Sequence, residues 1–92
     1  MDKQAVAERL AENLSRYRAA SGLSQEELAT RASIHRTQVS ELLHGKQVPR
    51  VDTLVKLAGA LEIEPVDLLE GIRFEPAVSE PGEFKITPGP KR

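Results

Sequence analysis

Ninety-two residues with no cysteine and 39% hydrophobic content bound this chain to one small domain with an aliphatic core, and exclude disulfides and thiolate metal sites. No Trp, one Tyr and two Phe leave little material for stacking on unpaired bases. The formal net charge of −1 argues against a uniformly basic surface, but phosphate fields act locally, so the distribution of charge outweighs its sum. Between Arg31 and Lys56 the chain carries Arg31, Arg36, Lys46, Arg50 and Lys56 against Glu41 and Asp52. Between Leu57 and Gly71 it carries Glu62, Glu64, Asp67 and Glu70 and no Lys or Arg. No apolar run approaches the roughly 20 residues of a membrane span. The first residues lack the apolar block of a secretory leader, so the expected location is the cytoplasm, with no membrane partner.

The periodicity predicts a first helix over Gln4–Ala20. Val6, Leu10, Leu14 and Tyr17 form its apolar stripe, Glu8, Arg9, Glu12 and Arg16 its wet face, and Gly22 its stop. Ser24 opens a second helix with a capping box, because Glu27 follows it by three residues. Leu28, Ala29 and Ala32 face inward there, and Ala29 is small enough for two helices to cross closely. Ser33 and Ile34 form a turn. A third helix runs from His35 to Leu43 with Val39, Leu42 and Leu43 inward, and Gly45 ends it.

Lys46 to Arg50 reads as a loop. A fourth helix spans Val51–Leu61 on a stripe of Leu54, Leu57, Ala58 and Leu61. Pro65 opens a short fifth helix through Leu69, and Gly71 closes it. Beyond Gly71 four prolines forbid another long helix. Two short apolar runs, Ile72-Arg73-Phe74 and Phe84-Lys85-Ile86, flank the turn-forming Ser79-Glu80-Pro81-Gly82 and read as either a small hairpin or an extended arm. The terminal PGPKR reads as disordered. The expected organisation is therefore an all-α, five-helix domain over residues 1–71 and a C-terminal extension over 72–92.

The segment from Ser24 to Gly45 has the form of a helix-turn-helix: one helix braces while the next carries polar side chains with no place in a core. Arg36 near a helix start has the fork that fits guanine O6 and N7. Thr37 can touch a thymine methyl, and Glu41 can accept from a cytosine amino group. Arg36 and Glu41 lie about 7.5 Å apart along a helix axis, which suits neighbouring base pairs.

This pattern resembles the Xre/Cro family of helix-turn-helix transcriptional regulators, which share the phage-repressor fold. The resemblance covers roughly Leu10 to Leu69. It rests on Arg18 four residues before Gly22, on GLSQEELA, on the Val39-Ser40 pair, on Gly45, and on PRVDTLVKLAGALEI. It implies that Arg36, Thr37 and Glu41 face base edges, with Gln38 and His35 at the groove margin. It implies phosphate contacts for Gln25, Lys46 and Arg50, and for Ser40 beside them. Two positions depart from the family's habit. Ser33 stands where Gly is common in the turn, so a left-handed backbone there costs roughly 1–2 kcal/mol. Leu43 stands where a Glu often pairs with the Arg at the Arg18 position, so Arg18 needs another partner or must reach water.

Function follows as an expectation. The chain reads as a sequence-specific binder of double-stranded DNA, most simply a repressor acting as a homodimer on an inverted repeat and associated with the nucleoid when bound. Phe74, Phe84 and Ile86 are its candidate dimer contacts, since they are otherwise exposed apolar side chains. Two other readings stay open. One is an antitoxin-type autoregulator whose extension binds a toxin protein; the other is a protein-interaction module without DNA binding. His35 and His44 lack a third ligand nearby, so no metal or other cofactor is expected. The grouped carboxylates read as a solvated face, without paired nucleophile and base, so catalysis is not expected.

Overall fold

Several helix ends of this chain fall where the sequence supplies a signal, notably Ser24, Gly45 and Pro65. The computed structural model describes residues 2–78 and 81–88. It contains α1 (Asp2–Ser21), α2 (Gln25–Ala32), α3 (Arg36–Leu43), α4 (Val51–Leu61), α5 (Pro65–Leu68), β1 (Ile72–Glu75) and β2 (Glu83–Ile86). At the start of α2 the predicted capping box is present. The Ser24 hydroxyl accepts from the Glu27 N–H at 3.0 Å, and the Ser24 N–H donates to the Glu27 carboxylate at 2.8 Å. The Ser24 backbone N–H foremost, and the Ser24 side chain after it, hold the Glu27 carboxyl below its ordinary range.

Three helices close in the same way. After α2, Ser33 N–H donates to Thr30 O and Ile34 N–H to Ala29 O; after α4, Glu62 N–H donates to Gly59 O and Ile63 N–H to Ala58 O. After α3, Gly45 N–H donates to Leu42 O and Lys46 N–H to Glu41 O. This paired closure places its hinge residue in the left-handed region. Gly45 adopts it freely at φ 70°, but Ser33 (φ 57°) and Glu62 (φ 60°) carry a Cβ into it. The strain expected at Ser33 is therefore real, and Glu62 has a second instance of it.

The core collects Leu10 and Leu14 of α1, Leu28 of α2, Val39 and Leu42 of α3, Leu54, Leu57 and Leu61 of α4, and Leu68 of α5, all buried. Ala7 and Ala11 are buried too, so α1 turns a wider face inward than its Val-Leu-Leu stripe alone indicates. Leu43 is half-buried against this core. Four boundaries differ from the sequence reading. α1 begins at Asp2 and ends at Ser21, α5 ends at Leu68, and α3 begins at Arg36. His35 is extended (φ −72°, ψ 145°) as the residue before the helix, because the chain must straighten there to change direction between α2 and α3.

Polar side chains of α1 tie the rest of the domain to it. Buried Asn13 donates from Nδ2 to Leu68 O and to Glu70 O, both at 2.9 Å. Those are carbonyls that the end of α5 leaves open. Arg18 finds a partner other than the Glu that the family often supplies: its Nη1 donates to Leu23 O at 2.8 Å. Gln4 Nε2 reaches Gly45 O at 3.3 Å, fixing the end of α3.

The C-terminal segment is a hairpin, not a free arm. β1 and β2 pair antiparallel with Ile72 opposite Ile86 and Phe74 opposite Phe84. Phe74 and Phe84 meet edge to face, ring centroids 5.2 Å apart. Ile72 packs against the core. Arg9 Nη2 donates to Thr87 O at 2.6 Å, and it crosses Gly71 so closely that a Cβ there would lie 2.1 Å from Arg9 Nη1. Gly71 suits its φ of 84°, and a side chain there would displace the Arg9 guanidinium. Of the expected turn, Ser79 and Glu80 lie outside the described residues, as do residues 89–92 of the terminal PGPKR.

Candidate nucleic-acid interface

An eight-residue helix with two buried side chains has most of its surface left over. In α3 those two are Val39 and Leu42, three residues apart and hence on one face. At about 100° per residue, the opposite side of the helix is centred on Thr37, Glu41 and His44, with Ser40 beside them and Arg36 and Gln38 on the two flanks. Thr37, Arg36 and His44 are exposed; Gln38, Ser40 and Glu41 are half-buried. A polar stripe backed by a buried aliphatic pair is what presents a helix rigidly to an external surface.

The first turn of α2 lies against the first turn of α3. The Arg36 guanidinium meets the Glu26 carboxylate at 3.0 Å, and both side chains are largely exposed. Such a surface pair contributes less than about 1 kcal/mol, so it gives way readily to a stronger acceptor. Gln25 is half-buried as the first residue of α2, next in sequence to the residue that holds Arg36.

Glu41 pairs with neither Arg36 nor Lys46. Its Oε1 accepts from Gln47 Nε2 at 2.5 Å. Lys46 is exposed and forms no ion pair among the described residues, while the exposed Arg50 lies 3.4 Å from Asp52. Both cations stand on the loop that follows α3. His35 is exposed just before the helix and makes no capping bond. The His44 ring is oriented: its Nδ1 lies 2.7 Å from Ser40 O. A carbonyl only accepts, so this contact is a hydrogen bond when Nδ1 carries the ring proton.

The structure thus gathers Arg36, Thr37, Gln38, Ser40 and Glu41 on one short helix, with His35 at its entry and Lys46 and Arg50 past its exit. Phe74, Phe84 and Ile86 lie elsewhere, on the hairpin, with Phe74 56% and Phe84 38% exposed and Ile86 half-buried. Three side chains of this surface went unread in the sequence. His44 was legible, since it follows Ser40 by four residues and Thr37 by seven on the same stripe. Glu26 and Gln47 were not, because their partners lie ten and six residues away across turns. Among the described residues no three His, Asp or Glu side chains cluster as metal ligands, and no helix is long and apolar enough to cross a membrane.

Comparison with known proteins places this geometry. The helix-turn-helix family HTH_3 matches residues 14–68. The chain is 36% identical over 72 residues to the control protein C.SmaI of Serratia marcescens, covering 76% of this chain and 86% of that one. It is 38% identical over 50 residues to the control protein C.BamHI of Bacillus amyloliquefaciens, covering 54% of this chain and 62% of that one. Among solved structures, the restriction-modification controller protein C.AhdI from Aeromonas hydrophila is similar with a TM-score of 0.68 and 36% identity, over 70% of this chain and 97% of that one.

Proposed function

We propose that this chain, which belongs to the HTH_3 helix-turn-helix family of DNA-binding transcriptional regulators, recognises an inverted repeat in double-stranded DNA as a homodimer and represses transcription there. The observation that carries the reading is the outward stripe of α3: polar side chains on a helix fixed from behind by Val39 and Leu42. Arg36, Thr37 and Glu41 read base edges, with Gln38 and His35 at the margins. Gln25, Ser40, Lys46 and Arg50 contact phosphates and set the register. Similarity to a restriction-modification controller protein and to two control proteins supports a regulator's role. Repression requires only that a bound dimer occlude polymerase, with no activating surface. The proposed setting is the cytoplasm.

Half-sites of such a dimer lie about one helical turn, roughly 34–36 Å, apart. Its contact is proposed on the hairpin through Phe74, Phe84 and Ile86. Val51 and Val55, one turn apart on α4 and 77% and 50% exposed, offer a second apolar surface. Sedimentation of Phe74→Ser and Val51→Asp variants distinguishes the two. If Phe74→Ser leaves a wild-type dimer intact while Val51→Asp gives monomers, the contact belongs to α4. A gel shift on random duplex at low salt tests DNA binding itself. Retardation at micromolar protein supports the reading, and none at high micromolar concentration favours a protein-interaction module. A small protein that co-purifies from the native host through the hairpin would favour the antitoxin-type regulator.

A further inference from the structure

From the geometry around Glu41 we infer that Gln47 is a positioning residue for base recognition, fixing the Glu41 carboxylate so that it discriminates one base pair. The inference rests on the DNA-reading role proposed for α3. A carboxylate on a helix that faces phosphates is repelled by them, and it discriminates only when aimed at a donor such as a cytosine amino group. Glu41 has three side-chain torsions to restrain. Gln47 restrains them through its Nε2, which donates to Glu41 Oε1 across the turn that ends α3.

The type of partner matters. A Lys or Arg in this place would neutralise Glu41 and compete with the base for it. A neutral amide donates one hydrogen bond and leaves both the charge and the second oxygen free. Lys46 stands next to Gln47 in sequence, yet among the described residues no basic side chain pairs with Glu41. Gln47 itself is held in place from below. The backbone reverses at Gly45 with Lys46 N–H on Glu41 O at 3.0 Å, and Gln4 of α1 donates to Gly45 O. The loop that carries Gln47 is therefore fixed to both α3 and α1, and the Gln47 amide is presented to Glu41 by a braced backbone.

The test measures competition binding of the full chain to its selected duplex and to versions with each base pair substituted in turn. Glu41→Ala should cut the preference at one base pair about tenfold. Gln47→Ala should cut the preference at that same pair about fivefold, leaving the others, the salt dependence and the thermal melting point unchanged. Gln47→Glu keeps the shape, loses the donor and sets a like charge against Glu41; it should cut the preference at least as far while also weakening all duplexes, so the loss of preference does not depend on how the loop tolerates alanine. In the Glu41→Ala background Gln47→Ala should add nothing at that pair. A Gln47→Ala protein that keeps wild-type preference while Glu41→Ala loses it overturns the inference and leaves the DNA-reading role of α3 standing. If neither variant changes any preference, the inference falls together with the assignment of Glu41. If the wild-type chain selects no duplex at all, the proposed function itself falls.

Discussion

Helices α1 and α3 carry similar polar side chains and use them in opposite ways. On α1, Arg9, Asn13, Arg16 and Arg18 reach Thr87 O, Leu68 O, Glu70 and Leu23 O, joining the hairpin, α5 and the α1–α2 loop to one long helix. On α3, Arg36 has only an exposed acid on α2, Glu41 only the half-buried Gln47 amide, and Thr37 no side-chain hydrogen bond among the described residues. Arg9, Asn13 and Arg18 satisfy backbone carbonyls that folding would otherwise leave unpaired, and Arg16 pairs with the Glu70 carboxylate. The α3 groups satisfy nothing the fold requires. On the proposed reading, these α3 side chains are the ones left to meet an external partner.

That contrast can be broken by mutation. The largest effect belongs to α1: Asn13→Ala strips two carbonyls of their donor in a buried site and should cost about 3 kcal/mol in denaturant unfolding. A cost no larger than that of a surface substitution would show that the α1 bonds are dispensable. On α3, Arg36→Ala should leave stability unchanged while costing about 1–3 kcal/mol on the specific site and relaxing one base position. Lys46→Ala should weaken all duplexes alike and lower the salt slope by about one. Smaller still, Ser33→Gly should raise stability by about 1 kcal/mol by relieving the left-handed turn between α2 and α3; thermal unfolding reads this directly.

The smallest effect concerns Glu27. Its carboxyl titrates below 4.5 in the folded chain because Ser24 donates to its charged form. A depressed folded-state value means that the stabilisation is present above the ordinary glutamate range and is lost as pH falls through the depressed value. Acid should therefore destabilise the wild-type chain slightly more than Glu27→Gln below pH 4.5, as melting curves across that range would show.

Local signals made most of the fold legible. Aliphatic faces placed the first four helices, Pro65 opened the fifth, the capping box fixed the start of α2, and Gly45 and Gly71 marked two real reversals. Glu62 carried no such mark: its left-handed turn is imposed by the closure of α4 on Ala58 O and Gly59 O, which any residue completes at a cost. The hairpin was ambiguous because four-residue strands are too short to declare their pairing. What settles them is Arg9, 78 residues from its acceptor, and Ile72 on the core. At the candidate site the stripe on α3 was readable from helical spacing. Its supports were not, since Glu26 and Gln47 meet their partners only after the chain has turned.

In-vitro selection of duplexes by the intact chain addresses the outward role of α3 most directly. The account predicts an enriched inverted repeat with half-sites about one helical turn apart, and loss of preference at one position when Arg36→Ala is used in place of the wild-type chain. An unenriched pool, or an enriched motif that the Arg36→Ala protein selects unchanged, would contradict it.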